Sequence, residues 1–217
     1  EQGWRPVGGR VPVAYSGDVS ERFSSVRLSE IEPITVADGL AWLPVRRTLG
    51  VEAFGINAYV AANAGEPVVE EHTEESLGHE EVYVVLSGRA TFSLDGETLD
   101  APSGTAVFVR EPTVRRGAVA AEPDTKVLAI GGKVGEPYSP SAWEWYFAAE
   151  RHRQSADYDQ AVTLMADGLE RFPDHAGMLY AAACWESLAG LANQAIEHLR
   201  RAVQPEQDEA QPGMELR

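Results

Sequence analysis

The chain has 217 residues, 44% of them hydrophobic and 24% charged, a composition that folds and a length that allows one large domain or a domain with a smaller companion. A formal charge of -16, with Lys126 and Lys133 the only lysines, argues against nucleic acid and anionic membrane surfaces, because phosphate binding needs clustered cations. No apolar run approaches a membrane span and no basic-then-apolar leader opens the sequence, so it reads as a soluble cytoplasmic protein.

Residues 1–39 are rich in Gly and Pro at the start (Gly3, Pro6, Gly8, Gly9, Pro12) and read as an N-terminal arm. From Leu40 the texture changes to short β-prone runs. Leu40 to Arg47 and Phe54 to Val60 are two of them, ended by Asn63-Ala64-Gly65. An acidic loop follows, with seven carboxylates between Glu66 and Glu81, and then strands at Val82 to Leu86 and Ala90 to Leu94. In the second of these Ala90, Phe92 and Leu94 alternate with polar residues, which marks one buried face.

Asp95-Gly96 is a two-residue hairpin signal, since Gly accepts the positive φ of a type I′ turn. Further strands are expected at Thr105 to Val109 and Lys126 to Ile130, with Pro102-Ser103-Gly104, Glu111-Pro112 and Glu122-Pro123-Asp124 as breaks. Short strands with no helix between them exclude a parallel α/β sheet and favour an antiparallel barrel or sandwich over residues 40–132.

Gly135, Pro137 and Pro140 make residues 133–142 a linker, and residues 143–204 read as helix. Offset by 34 positions, the helical region matches itself: Tyr146 with Tyr180, Ala161 with Ala195, Val162 with Ile196, Leu169 with Val203. Cys184, among Ala181, Ala182 and Ala183, reads as a buried small residue, and residues 205–217 as a polar tail. No Ser-His-Asp or Cys-His arrangement and no phosphate-cradling glycine loop can be assembled.

Two stretches resemble the motifs of the cupin superfamily. Glu81 and Gly88 with six residues between them, around the strand Val82 to Leu86, match the end of the first motif. Gly96, Pro102 and Gly104, followed by Val107-Phe108-Val109, match the second. Ala156-Asp157-Tyr158-Asp159-Gln160-Ala161 and Phe172-Pro173-Asp174 resemble parts of a tetratricopeptide repeat. Together the resemblances imply a mostly β fold with an α-helical C-terminal part: a cupin-type antiparallel β-barrel, or jelly roll, followed by two tetratricopeptide-like helical hairpins.

Cupins that bind metal usually hold Mn, Fe, Ni, Zn or Cu on three histidines and one Glu. Here the two motif-one histidine positions fall on Glu75 and Leu77, and the motif-two histidine falls near Arg115. The resemblance therefore implies an altered set, drawn from His72, Glu74, His79 and Glu81, with Arg115 as counter-charge to Glu81. Three arrangements stay open: a metal on these residues, a metal-free pocket in which Arg115 or Arg116 takes an anionic or sugar-like ligand, and a solvated acidic loop over a filled barrel. In the first two, Glu81 is ligand or general base and Tyr83, two residues on, lines the pocket with Arg115. The functional expectation is a small-molecule-binding cupin, in one form a metal-assisted enzyme of isomerase or oxygenase type. The alternative is a non-catalytic sensor or scaffold whose helical repeats bind a partner protein, with a homodimer among its arrangements.

Overall fold

The computed structural model describes residues 23–36 and 39–203, the side chain of Gln154 excepted. The first 22 positions of the expected arm and the expected tail lie outside the described residues. The chain divides into two compact units at Pro140 and Ser141.

The first unit is antiparallel β. Among the described residues ten strands, β1 (Ile34–Thr35), β2 (Ala41–Leu43), β3 (Gly55–Ala61), β4 (Pro67–His72), β5 (Glu80–Ser87), β6 (Arg89–Leu94), β7 (Glu97–Pro102), β8 (Ala106–Val109), β9 (Arg116–Ala120) and β10 (Thr125–Gly132), form two sheets. One has the order β1-β2-β3-β10-β5-β8 and the other β4-β9-β6-β7. The expected closed barrel is therefore corrected to two sheets, each with its own edges, that share one core. The Asp95-Gly96 turn takes positive φ at both positions, 50° and 85°, as a type I′ hairpin requires.

The core lies between the sheets. Tyr83, Val85, Val107, Val109 and Val127 from the six-stranded sheet meet Val68, Val69, Ala90, Phe92, Ala118 and Ala120 from the other. Burying each large side chain of this set is worth roughly 1.5–3 kcal/mol. Cross-strand register puts Gly55, Gly131, Glu81 and Val109 abreast in one row across β3, β10, β5 and β8, with Asn57, Ala129, Tyr83 and Val107 in the next.

Two expectations change near the N-terminus. Leu40 to Arg47 is not one strand: β2 stops before Pro44, and the short helix α1 (Val45–Leu49) follows, since proline has no amide to donate to a sheet and suits a helix start. The described part of the arm is not irregular throughout either. β1 pairs with β2, and Ile31, Leu43 and Val45 pack on Ala58, covering the apolar outer face that Ile56, Val60 and Leu128 present.

The second unit is helical: α2 (Trp143–Gln154), α3 (Tyr158–Arg171), α4 (Ala176–Leu188) and α5 (Ala192–Ala202). Each packs on the next in sequence. α3 and α5 begin 34 positions apart, at Tyr158 and Ala192, the offset at which the sequence matches itself. Asp157 caps α3, its carboxylate accepting the Gln160 amide, and the His175 ring accepts the Met178 amide at the start of α4. Ala161, Met165 and Gly168 face Met178, Ala181, Ala182 and Trp185. Gly168 is needed for that contact: a Cβ there would lie 2.9 Å from Trp145 Cγ. Cys184 is exposed, not buried, because Ala181, Ala182 and Trp185 occupy the inner side of α4 and leave position 184 on the outer one.

Candidate metal centre

The site forms at one end of the core, where charged residues replace the aliphatic ones. β5 brings Glu81 inward on the same face as Tyr83 and Val85. At Glu81 the neighbouring strand carries Gly131, and a Cβ there would lie 2.9 Å from Glu81 Cγ. Glycine thus lets the carboxylate lie against the β10 backbone. From the opposite sheet β9 brings Arg116 inward, opposite Leu94 of β6 and His72 of β4.

β4 reaches that register only through irregularities. Val69 pairs with Ala118 and His72 with Arg116, so three steps on β4 match two on β9. A regular strand would turn Glu71 inward after Val69. The extra residue presents His72 instead, and Glu71 stays at the surface. The chain then turns, with the Glu74 amide donating to the Pro112 carbonyl and the Glu74 carbonyl accepting from Gly78.

One ligand atom from each of His72, Glu74 and Glu81 falls within 4.8 Å of the other two. His72 Nε2 is 3.6 Å from Glu74 Oε1 and 3.5 Å from Glu81 Oε2. His72 Nδ1 is 2.9 Å from the Glu70 carbonyl, which can only accept, so Nδ1 carries a proton and Nε2 is the atom left to bind a cation or a second proton. Glu81 Oε2 is crowded with donors: Tyr83 Oη at 2.5 Å and Arg116 Nη1 at 3.3 Å. The Arg116 side chain is 0% exposed; its Nη2 donates to the Glu111 carbonyl at 3.0 Å, and its Nε has no hydrogen-bond partner.

These contacts set the charge states. Burial disfavours the Glu81 carboxylate, but hydrogen bonds from His72 and Tyr83 and the charges of His72 and Arg116 outweigh it and hold its pKa below the ordinary value. Burial likewise disfavours the His72 imidazolium, and the hydrogen bonds to Glu81 and Glu70 with the charges of Glu81 and Glu74 outweigh it, raising the pKa. Tyr83 is pushed well above its usual range by burial beside the Glu81 charge, so it stays a donor. Glu81 thus lies between the permanent charge of Arg116 and a His72 ring whose protonated form is favoured.

The remaining residues singled out from the sequence take different places. His79 is buried just before β5, stacks on Tyr138 with ring centroids 5.6 Å apart, and has Nδ1 3.2 Å from Glu74 Oε2. That approach lacks hydrogen-bond alignment and leaves buried Glu74 Oε2 without a hydrogen-bond partner. His79 thus touches Glu74 from outside the three-residue group. Arg115 is corrected as the counter-charge. Its side chain is 61% exposed and lies 3.4 Å from Glu71, while Arg116, one residue on and on the opposite face of β9, meets Glu81. Among the described residues no helix is long and apolar enough to cross a membrane.

No family model matches the chain, and no curated protein does. Solved structures do match it. A cupin protein from Bacteroides fragilis is 20% identical over 56% of this chain and 93% of its own, with a TM-score of 0.38. An RmlC-like cupin from Shewanella frigidimarina is 19% identical over 52% of this chain and 91% of its own, at 0.38. A predicted oxalate decarboxylase from Thermotoga maritima is 20% identical over 49% of this chain and 96% of its own, at 0.39. The chain is thus similar, at low identity and low overlap, to solved cupins.

Proposed function

We propose that the β unit is a cupin domain that binds a small molecule beside a divalent metal ion held by His72, Glu74 and Glu81. In this reading residues 1–39 are an arm, 40–132 the cupin domain, 133–142 a linker, 143–204 two tetratricopeptide-like hairpins and 205–217 a tail of a cytoplasmic protein. One observation carries it: three ligand atoms within 4.8 Å, one of them a His72 Nε2 whose ring is fixed by the Glu70 carbonyl on its far side. One imidazole and two carboxylates suit Mn, Fe, Ni, Zn or Cu.

When bound, the ion would act as a Lewis acid on a ligand oxygen. The protein's own groups do the rest. Glu81, held ionised by its neighbours, is a weak base and a steady ligand. Tyr83 fixes the Glu81 carboxylate by donating to Oε2. Arg116 brings a permanent charge into the core, so an anionic ligand meets attraction and a cationic one repulsion. His72 Nε2 would be the imidazole atom that holds the cation, with a proton as its competitor. In its finer form the reading is a metal-assisted isomerase or oxygenase.

The test is metal content of protein purified without chelator and after loading with Mn, Fe, Ni and Zn. Near one ion per chain is expected, lost in Glu81→Gln and in His72→Ala. No ion in the loaded wild type overturns the reading. A second reading, a non-catalytic sensor, is favoured by one feature: Arg116 gives Glu81 an internal cation. Anion or sugar binding without metal, lost in Arg116→Met, would support it.

A further inference from the structure

The helical unit leaves one end uncovered. Five residues that α2 and α3 bury or half-bury have counterparts 34 positions later that are exposed. Met165 is 1% exposed and Leu199 43%; Glu150 is buried at 7%, whereas Cys184 is exposed. Tyr146, Val162 and Leu169 pack against the helical core, while Tyr180 is 59%, Ile196 49% and Val203 71% exposed. On α5, Ile196, Leu199 and Val203 stand at helical spacing on one stripe; on α4, Tyr180, Cys184 and Leu188 do the same. The first repeat buries this set against the second, so the second presents the surface on which another hairpin would stack.

Two occupants can be weighed. Gln204–Arg217 contains Pro205, Pro212 and Gly213 and few apolar residues with which to match this face. Head-to-tail stacking would bring in the leading face of a second copy's first repeat. That face has Glu144 and Arg151 where the second repeat uses Met178 and Trp185. It is not apolar. The matching apolar surface is the same face on another copy.

We propose that α4 and α5 form a homodimer interface, two copies packing this face on itself about a two-fold axis. Isologous contact closes the assembly at two, where head-to-tail contact would run on. Two helices of this length offer roughly 600 Å² per copy, near the low end for specific interfaces.

The experiment is sedimentation equilibrium of the full chain from about 1 to 200 μM, with far-UV circular dichroism on every variant. Wild type is expected to pass reversibly from monomer to dimer. Leu199→Glu and Ile196→Glu should each weaken association at least about a hundredfold with helicity unchanged, because each brings an unpaired charge into the contact. Gln194→Glu, off the stripe on the same helix, should associate as wild type does. Alkylation of Cys184 with a bulky maleimide gives an independent disruption that needs no substitution. A monomer throughout overturns the proposal, as does a dimer that survives both charged variants and the alkylation. So does open-ended association, or dimerisation seen only after removal of residues 204–217.

Discussion

Arg116 is the residue whose removal the structure weighs most directly. Arg116→Met keeps length and apolar bulk but deletes a fully buried guanidinium that holds Glu81 at 3.3 Å and the Glu111 carbonyl at 3.0 Å. Losing one partner of a buried ion pair costs about 3–5 kcal/mol. Here the lower end applies, because Tyr83 and His72 remain on the Glu81 carboxylate. About 3 kcal/mol, at roughly 3 °C per kcal/mol for a unit of this size, lowers the β unit's melting temperature by about 10 °C. Calorimetry reads it. Arg116→Met with Glu81→Gln should recover part of the loss, since no unpaired charge is left. Arg115→Ala removes only an exposed contact to an exposed Glu71 and should move the transition by no more than about 2 °C. A larger effect from Arg115→Ala than from Arg116→Met would refute the assignment.

Gly131→Ala places a methyl 2.9 Å from Glu81 Cγ and 3.2 Å from the Glu80 carbonyl, and is expected to cost about 1–3 kcal/mol in chemical denaturation and to lower metal uptake. Gly168→Ala, against Trp145 and Met178, should destabilise the helical unit by a similar amount without affecting metal. Stability of the apo β unit should peak between about pH 4.5 and 6.5. The Glu81 contribution, from a lowered pKa, is present above the ordinary 4.5 and is lost as pH falls through the lowered value. The His72 contribution, from a raised pKa, is present below 6.5 and is lost as pH rises through the raised value. Metal and proton compete for His72 Nε2, so metal affinity should fall about tenfold per pH unit below the raised pKa, with proton release measurable by calorimetry in two buffers. Affinity that is flat across that range would sink the assignment of His72 as ligand.

What was legible in the sequence depended on period and turn chemistry. The alternation of Ala90, Phe92 and Leu94 and the Asp95-Gly96 turn locate β6 and its hairpin, because both signals are local. β4 and β9 were missed. Glu70, Glu71 and Arg116 break their apolar pattern, and a strand that carries a site need not look like one. The site's residue types could be read from the acidic loop, but their assembly could not. Choosing Arg116 over Arg115 depends on strand parity, and choosing His72 over Glu71 depends on an irregular register that only the partner strand reveals. Cys184 was misplaced for a related reason: three alanines beside it said nothing about which side of α4 faced the core.

The irregularity of β4 makes the chemistry of this site a matter of strand register as well as residue identity. Deleting one residue between Val69 and His72 would restore the plain two-residue alternation opposite Ala118 and Arg116. His72 would still stand opposite Arg116, whereas pairing the present sequence without the irregularity would put Glu71 there, giving three carboxylates and a preference for harder ions. How β4 pairs with β9, as much as which residues it carries, therefore decides which donor faces the cation.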